Sequence, residues 1–527
     1  MTKHPIQIAL TVALAAAAAY AAASLPDDDS GGRRSADARY AETSARKPPV
    51  VMLVMDEFPV DALLRADGNI DAKRFPNFAE LAQTGTWYRN ASTVHDSTTK
   101  AIPAILDGKL PRAATRPTFL GHPRSVYDLF GRRGYRIVSA EEATSVCPPR
   151  YCPDARPTRP AILPFLQEGR RERLESFFSR VRKGPATFYL KHVLLPHGPY
   201  LFLPSGRQSR ATWRDPLPSM NSVPGFFDDY LTLHNQQRRL LQIGFVDREL
   251  GILFDRLRKQ KLYDKAMIVV TADHGISSEV GRRSRRSTDR RNVDEVAPVP
   301  LFIKAPRQAR GRTDASYVRT TDIVPTMADI LGIRMPYRAD GRSARSDAVR
   351  RRRSVRVIRR DFRGTIVISA AEMERRRRVL SQRRLRLFGS GSWASLYTRI
   401  GPHRSLIGRM VSGLRTTRGG AVQGQLVGAS TAGAVNSASI VRPTEVSGRL
   451  TGGGPTAERD LAVAVNGRIE AVGRSFHLTR SRTDYRPERQ ESFAVNVPEA
   501  ALRVGRNRVR VYEVSAGGRS LRLLGGN

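Results

Sequence analysis

Residues 266–275 read AMIVVTADHG, an apolar run of strand length that ends on a carboxylate and an imidazole. A second run, VVMLVMDE at 50–57, ends on two carboxylates. Continuous apolar runs of this length are typical of strands that are buried on both faces of a parallel sheet. Ligands of open α/β sheets bind beyond the carboxyl ends of the strands. The two polar endings therefore predict one shared site on neighbouring strands.

Strand-like and helical patterns alternate around these two runs from residue 48 to 343. This alternation predicts an α/β domain with a mostly parallel sheet. An Arg-rich connecting region at 344–419 and a β-rich domain at 420–527, expected to be a small sandwich, follow it. The other expected elements of the α/β domain are strands at 186–195 and 299–306 and helices at 75–84, 125–133, 236–258 and 322–333.

The N-terminal segment predicts export from the cytoplasm. Residues 5–25 are uncharged and rich in alanine, and at about 1.5 Å per residue a helix of this length just spans a bilayer. Residues 1–26 are therefore either a signal peptide or an uncleaved membrane anchor, followed by a linker at 27–47. Either reading gives an extracytoplasmic protein, membrane-anchored or secreted. In that compartment Cys147 and Cys152, the only cysteines, predict a small disulfide-closed loop.

The net charge of +40, from 89 basic and 49 acidic residues, favours anionic partners. An excess of arginine also accompanies GC-rich coding, so the charge is secondary support. Zinc-finger spacing, an RNP-like aromatic motif and a basic helix-turn-helix are all missing from the sequence, and we expect no nucleic-acid partner. The arginine runs at 350–353 and 375–378 are expected to be solvated faces or linkers.

A third stretch, VHDSTTKAIPAILDG at 94–108, places three hydroxyl side chains before a short apolar segment. Because Ser and Thr are common helix N-caps, these hydroxyls either begin a helix or include a nucleophile. A divalent cation lowers the pKa of a hydroxyl that it binds, and a helix N-terminus favours a phosphate group. The side chains that suit such a cation are Asp56, Glu57, Asp273 and His274.

The ordered set of motifs resembles the sulfatase branch of the alkaline phosphatase superfamily over about residues 48–343. The motifs are VVMLVMDE, STVHDSTTKAIPAILDGKLP, FYLKHVLLPHGPY, VVTADHG and RTTDIVPTMADILGI. The resemblance implies a three-layer α/β/α sandwich with metal at the carboxyl ends of the strands. It also implies that Asp56, Asp273 and His274 bind the metal and that His197 contacts substrate. Glu57, the neighbour of a ligand, either joins the metal or points away.

Two spacings of the related families place the nucleophile at Thr98. True sulfatases carry Cys-x-Pro-Ser-Arg with a glycine ten residues after the cysteine, and ten residues before Gly108 is Thr98. Phosphoethanolamine transferases carry a nucleophilic threonine five residues before a proline, and five residues before Pro103 is again Thr98. A formylglycine cannot form without a cysteine there, and Ile102 stands where the sulfatase arginine would. The sequence is thus more similar to lipoteichoic-acid synthases and phosphoethanolamine transferases, which work through a phospho-threonine.

These observations predict an extracytoplasmic, metal-dependent hydrolase or transferase of phosphate esters or phosphodiesters. Its expected cofactor is one divalent cation, Mn, Zn, Mg or Ca, because no histidine follows His274 until His403. The expected substrate is an anionic lipid headgroup or an envelope polymer, with the membrane reached through the N-terminal segment. Two alternatives stay open, a sulfuric ester hydrolase and a non-catalytic binder of anionic envelope polymers. His192 is expected to be a packed strand residue.

Overall fold

The structure is a computed structural model that describes residues 47–217, 220, 226–281, 287–427, 434–454, 458–477 and 490–526. The predicted signal peptide or anchor at 1–26, and all but the last residue of the predicted linker, lie outside the described residues. In the part of the chain that is described, none of the helices combines the length and the apolar character needed to cross a bilayer.

The first sheet has seven strands: β1 (Val50–Asp56), β2 (Thr86–Tyr88), β3 (Arg136–Ala140), β4 (Thr187–Pro196), β5 (Met267–Ala272), β6 (Leu301–Lys304) and β7 (Arg312–Asp314). Their order is β3-β4-β1-β5-β6-β2-β7, and four of the six neighbouring pairs are parallel. Every residue of β1, β4 and β5 is buried, so both faces of the sheet are covered. The predicted α/β fold with a mostly parallel sheet is therefore confirmed.

Helices of very different length surround and follow this sheet. The predicted helix at 236–258 is longer than expected, because the Asp228 side chain caps it by accepting a hydrogen bond from the backbone N–H of Leu231 at 2.7 Å. The helices are α1 (Pro76–Thr84), α2 (Thr98–Asp107), α3 (Val126–Gly131), α4 (Ile162–Gln167), α5 (Arg170–Ser179), α6 (Asp229–Lys259), α7 (Val293–Val296), α8 (Ile323–Ile330), α9 (Asp347–Arg350), α10 (Ala370–Phe388) and α11 (Ser395–Thr398).

The Arg-rich region after the sheet is folded against it. It contains α9, α10, α11 and a hairpin of β8 (Ser354–Ile358) and β9 (Thr365–Ser369). The expectation that its arginine runs are solvated is wrong at two positions. Arg352 pairs with buried Asp322 at 2.6 Å, and Arg377 donates to Asn90 Oδ1 at 2.9 Å. The partners of these arginines are distant in sequence. Composition alone therefore predicts solvated side chains where the structure has paired ones.

The C-terminal region forms a second sheet, as its alternating sequence predicts. The strand Arg468–His477 pairs with Asp460–Val465 along one part and with Glu491–Asn496 along another, so it belongs to two half-sheets. A separate apolar core lies on this sheet and includes Val446, Val463, Phe493 and Val511. The boundaries at 343 and 420 stay predictions. The strands are β10 (Arg415–Thr417), β11 (Gln423–Val427), β13 (Glu445–Thr451), β14 (Asp460–Val465), β15 (Arg468–His477), β16 (Glu491–Asn496), β18 (Val509–Val514) and β19 (Ser520–Gly526), with β12 (Ala434–Val435) and β17 (Gly505–Arg506) as a separate pair.

Helix α6 joins the two sheets. The Tyr230 hydroxyl donates to the backbone carbonyl of Ala494 at 3.0 Å, and the Asn496 amide donates to Gln237 Oε1 at 2.6 Å. These contacts are buried and lie far apart in sequence, so they tie the C-terminal sheet to the longest helix of the first part. The predicted disulfide between Cys147 and Cys152 is also present.

Buried Glu249 on α6 gives a pH-dependent stability. Its side chain is fully buried, and neither carboxylate oxygen has a hydrogen-bond partner among the described residues. Burial, reinforced by the nearby Glu175 carboxylate, raises the pKa of Glu249 to about 7. The folded state therefore holds this proton more tightly than the unfolded chain does, and stability falls as pH rises from about 4.5 to 7.

Replacing Glu249 by glutamine is expected to remove this loss of folding stability at higher pH. At pH 8 the variant should be more stable than the wild type by roughly 2–3 kcal/mol, and near pH 5 the two should be similar. Urea unfolding at both pH values measures the difference. The control is Asp255→Asn, an exposed carboxylate on the same helix, which should change little at either pH. An equal gain at pH 5 and pH 8 would contradict the prediction.

Candidate active site at the carboxyl ends of the central strands

The polar residues that follow β1 and β5 lie side by side, as their positions predict. The two strands are parallel with Met55 opposite Ala272, so the residues just beyond them leave the sheet at one level. The backbone N–H of Asp273 donates to the carbonyl of Met55 at 3.0 Å and fixes this alignment. The four side chains that meet here are all buried: Asp56, Glu57, Asp273 and His274.

The Asp273 carboxylate organises the backbone around it. Its Oδ1 accepts hydrogen bonds from the backbone N–H groups of Glu57 at 3.1 Å and His274 at 2.6 Å. Glu57 has a left-handed backbone with φ of 59°, which is unfavourable for a residue with a side chain and is held here by these contacts. Burial raises the pKa of Asp273 to about 7, so a nearby positive charge would stabilise its ionised form.

Thr98 is the first residue of α2, and its hydroxyl points at the same place. Thr98 Oγ1 lies 3.4 Å from His274 Nε2. The first N–H groups of a helix have no partner within the helix, so this position also suits an anion. The helix continues through Pro103 and ends at Gly108, which has a left-handed φ of 70°. The two spacings that single out Thr98 thus converge on a hydroxyl that lies 3.4 Å from a side chain of this cluster.

The hydrogen bond on one side of the His274 ring decides what the other side offers. Nδ1 lies 2.8 Å from the carbonyl oxygen of Gly275, and a carbonyl only accepts, so Nδ1 carries the proton. Nε2 then presents a lone pair towards Thr98 Oγ1 and, at 3.3 Å, towards Asp273 Oδ2. Two acceptors that face each other at this distance are stabilised by a proton or a cation between them.

His197 repeats this arrangement on the loop after β4. Its Nδ1 lies 2.5 Å from the carbonyl oxygen of Gly198, and its Nε2 lies 3.4 Å from Glu57 Oε1. The side chain is buried and faces the acidic cluster. The structure therefore brings all six predicted residues together, with His197 on the Glu57 side and Thr98 on the Asp273 side.

His192 on β4 also reaches this cluster, which sequence reasoning missed. Its ring is fully buried, and neither ring nitrogen has a hydrogen-bond partner among the described residues. Burial lowers the pKa of His192 to about 3, so the ring is neutral, as a metal ligand must be. The expectation of a merely packed residue does not explain two unsatisfied buried nitrogens. The one feature of the sequence that could have indicated a role in the cluster was the position of His192 on the strand that leads to His197.

The donor set fits a divalent cation. Two groups of three possible ligand atoms, each group within 4.8 Å, are Asp56–His192–Asp273 and Asp56–Glu57–His197. They share Asp56, and all five side chains are buried. Carboxylates mixed with neutral imidazoles suit Zn²⁺ or Mn²⁺ better than Ca²⁺ or Mg²⁺, which prefer oxygen ligands. The unsatisfied nitrogens of His192 are the observation that a cation would account for most directly.

The β8–β9 hairpin positions the segment before Thr98. The backbone N–H of Ile358 donates to the carbonyl of Val94 at 2.9 Å, and Arg360 Nε lies 3.2 Å from Asp96 Oδ1. The ring of Phe362 stacks on His95 with centroids 5.0 Å apart. Because the partners are more than 250 residues apart in sequence, no local pattern predicts that the hairpin supports this segment.

His95 links the hairpin to the start of α2. Its Nδ1 accepts a hydrogen bond from the backbone N–H of Ser97 at 3.1 Å. Burial lowers the pKa of His95 to about 4, so the ring stays neutral and can accept this bond. The orientation of the first turn of α2 therefore depends on a histidine that the hairpin covers.

Comparisons with known proteins agree with this architecture. The family model described as Sulfatase matches residues 48–333. Arylsulfatase K of Bos taurus is 33% identical over 97 residues, which cover 18% of this chain and 17% of that protein. Lipoteichoic acid synthase 2 of Bacillus subtilis (strain 168) is 24% identical over 157 residues, which cover 24% of each. The chain thus matches only about a sixth to a quarter of the length of these relatives.

Solved structures resemble the chain over a larger part of its length. The phosphonate monoester hydrolase from Silicibacter pomeroyi has a TM-score of 0.44 and 19% sequence identity, covering 59% of this chain and 79% of that one.

Proposed function

This chain belongs to the sulfatase family, and on that premise we propose that it is a hydrolase or transferase of phosphate esters or phosphodiesters with Thr98 as its nucleophile. One observation carries the proposal. A buried threonine hydroxyl stands at the N-terminus of a ten-residue helix, 3.4 Å from an imidazole nitrogen whose lone pair faces it and beside a buried carboxylate. A helix cap needs none of these neighbours.

The identity of the nucleophile favours phosphate over sulfate. In true sulfatases, the reacting group is made from a cysteine. Position 98 of this chain holds a threonine instead. Ile102, where those enzymes carry an arginine, supplies no charge to a sulfate group. A threonine hydroxyl is a direct nucleophile for phosphorus once it is deprotonated. The similarity to a lipoteichoic acid synthase supports the same choice.

The residues that would hold one divalent cation are Asp56, Asp273 and His274, with His192 as a further ligand. Glu57 and His197 lie on the other side of Asp56 and complete the wall of the site. When bound, the cation would lower the pKa of the Thr98 hydroxyl and neutralise charge on the group that is transferred. Zn²⁺ and Mn²⁺ fit the mixed ligands best.

The chain's own residues account for the order of events. The Thr98 hydroxyl proton leaves to solvent, Oγ1 forms a bond to phosphorus, and the bond from phosphorus to the leaving oxygen breaks. His197 acts in its doubly protonated form, with one proton on Nδ1 held by the Gly198 carbonyl and a second on Nε2 facing Glu57, and it gives the Nε2 proton to the leaving oxygen. A water or an acceptor hydroxyl then displaces Thr98 from phosphorus, its proton returns to His197 Nε2, and the released Thr98 oxygen takes a proton from solvent, which regenerates the enzyme. The N-terminal end of α2 stabilises the negative charge of the transferred group.

We place this activity outside the cytoplasm, on an anionic lipid headgroup or envelope polymer. The disulfide between Cys147 and Cys152 supports an oxidising compartment. The charge of +40 supports an anionic substrate. Attachment to a membrane rests on residues 1–26 alone.

A sulfuric ester hydrolase is the second candidate. The family match and the similarity to an arylsulfatase favour it. It requires Thr98 to attack sulfur directly, without the aldehyde hydrate that a formylglycine provides. A non-catalytic binder of anionic polymers is the third candidate, and it leaves the geometry around Thr98 without a role.

Mass spectrometry of the intact protein separates the three candidates. After incubation with Mn²⁺ or Zn²⁺ and a phosphodiester such as bis(4-nitrophenyl) phosphate or phosphatidylglycerol, we expect a phosphate-containing adduct that fragmentation places on Thr98. With 4-nitrophenyl sulfate we expect none. A sulfated Thr98 and release of nitrophenol from the sulfate alone would favour the second candidate. Neither adduct nor turnover with either metal would favour the binder.

A further inference from the structure

A cavity of about 1010 Å³ lies on the C-terminal sheet, formed by a different part of the chain from the candidate active site. Its lining comes from the segment before β10, from the β14–β15 turn and from the stretch that leads into β18. Four of the fourteen lining residues are arginines, and none of them is acidic. The arginines are Arg503, Arg506, Arg508 and Arg510.

These guanidinium groups are not neutralised within the described part of the chain. Elsewhere on the same sheet, arginines pair with carboxylates, as Arg459 does with Glu513 at 2.9 Å and with Glu491 at 3.2 Å. By contrast, no described carboxylate lies within ion-pair distance of the four lining arginines. Four positive charges around one cavity repel each other, and an anion that enters the cavity relieves this repulsion.

Two of these arginines lie on the same face of the C-terminal sheet, because side chains alternate between the two faces along a strand. Arg508 and Arg510 alternate with buried Val509 and Val511, so their side chains leave the strand on the side opposite the apolar core. Tyr512 follows at the next alternate position and borders the cavity, but its side chain is buried in a second apolar cluster with Leu406 and Val514. The pair of arginines on this face is therefore a property of β18 and its entry.

The loop that carries the other two arginines is held rigidly. The side chain of Asn507 is buried, and its Oδ1 accepts from the backbone N–H of Arg503 at 3.0 Å and from Asn466 Nδ2 at 2.9 Å. Its Nδ2 donates to the carbonyls of Arg503 at 2.8 Å and Gly505 at 3.1 Å. Such a network fixes the loop before any ligand binds, which lowers the entropy cost of binding.

Part of the cavity lining is apolar. Met410, Val411 and Leu414 belong to it, and the Met410 side chain is about half exposed. A cavity lined by both guanidinium groups and apolar atoms suits a sugar ring that carries sulfate or phosphate. The planar guanidinium binds both groups in a bidentate manner. A flat membrane surface contacts protruding side chains and reaches the lining of a cavity poorly.

We propose that this cavity is a second binding site, for an anionic glycan polymer that carries sulfate or phosphate groups. The arginines bind the anionic groups, and the apolar part of the lining, which includes half-exposed Met410, contacts the sugar faces. The site is independent of the chemistry at Thr98, since none of its residues belongs to that cluster.

The test compares two triple variants of the full chain that lose the same charge. The first, R506Q/R508Q/R510Q, removes three lining arginines whose side chains make no hydrogen bond among the described residues. The control, R378Q/R383Q/R386Q, removes three exposed arginines of α10. Binding of a heparin octasaccharide and of deacylated lipoteichoic acid is measured by calorimetry at 150 mM salt, after thermal unfolding has shown that both variants are folded.

We expect the cavity variant to bind at least one of these glycans about tenfold more weakly than the wild type, while the control changes affinity less than about twofold. A loss for heparin alone identifies sulfate as the preferred group, and a loss for lipoteichoic acid alone identifies phosphate. Equal losses in both variants would reveal only general charge attraction and overturn the proposal. No binding by the wild type, or a selective loss only for single-stranded DNA or phosphatidylglycerol vesicles, would overturn it too.

Discussion

Replacing Thr98 by alanine is expected to lower phosphodiester turnover by roughly 10⁴-fold or more while the folded protein keeps its metal. The side chain is buried, with Oγ1 3.4 Å from His274 Nε2, so its loss removes the atom that forms the covalent bond. The hydroxyl is small, and α2 has its N-cap at Ser97, so the helix does not depend on it. Initial rates with bis(4-nitrophenyl) phosphate, together with the metal content of the purified protein, measure both effects.

The neighbouring hydroxyl provides the matched control. Thr99→Ala makes the same chemical change one residue further along α2, where the side chain bonds to Ser97 Oγ at 3.3 Å rather than to the acidic cluster. We expect this variant to keep most of the activity. Thr98→Ser retains a hydroxyl and should lose much less than Thr98→Ala does. Full activity in Thr98→Ala, or loss in Thr99→Ala alone, would move the nucleophile away from position 98.

The parts of the site that could be predicted share one property. Each belongs to a local sequence pattern whose meaning does not depend on the rest of the chain. The runs at 50–55 and 266–271 are apolar because parallel strands are covered on both faces, and the polar residues come at the carboxyl ends of these strands. Asp56 and Asp273 could therefore be placed next to each other before the structure was known. Thr98 was placed by the resemblance, through the spacings that the related families have within this one short stretch.

His192 and the hairpin could not be predicted because long-range pairing decides their roles. A histidine within an apolar strand fits a packed residue equally well until the neighbouring strand and its register are known. The hairpin that supports His95 comes after all the motifs of the candidate site and lies in an Arg-rich region, where composition indicates a linker. Arg352 and Arg377 were misjudged for the same reason. Contacts between residues that are far apart in sequence do not change the local hydrophobic pattern, so that pattern does not predict them.

Changing Asp273 to asparagine is expected to remove the bound cation and, with it, the activity. The substitution keeps an oxygen that can accept the backbone hydrogen bonds from Glu57 and His274, so the local backbone is preserved. It removes the negative charge that Asp273 contributes to the ligand group formed with Asp56 and His192. We expect the affinity for Zn²⁺ or Mn²⁺ to fall at least about 100-fold, and the metal content of the purified protein to fall accordingly.

Another buried aspartate, Asp247 on α6, provides the control that distinguishes loss of a metal ligand from damage to the fold. Asp247 accepts the backbone N–H of Phe78 at 2.8 Å and lies outside the cluster, so Asp247→Asn should keep the metal. His192→Gln should weaken binding by about 10–100-fold, because it removes one ligand and leaves the carboxylates in place. Stoichiometric metal in Asp273→Asn would show that the cation is held elsewhere. Wild-type affinity in His192→Gln would return His192 to a packing role, because the cation would then not explain its two unsatisfied nitrogens.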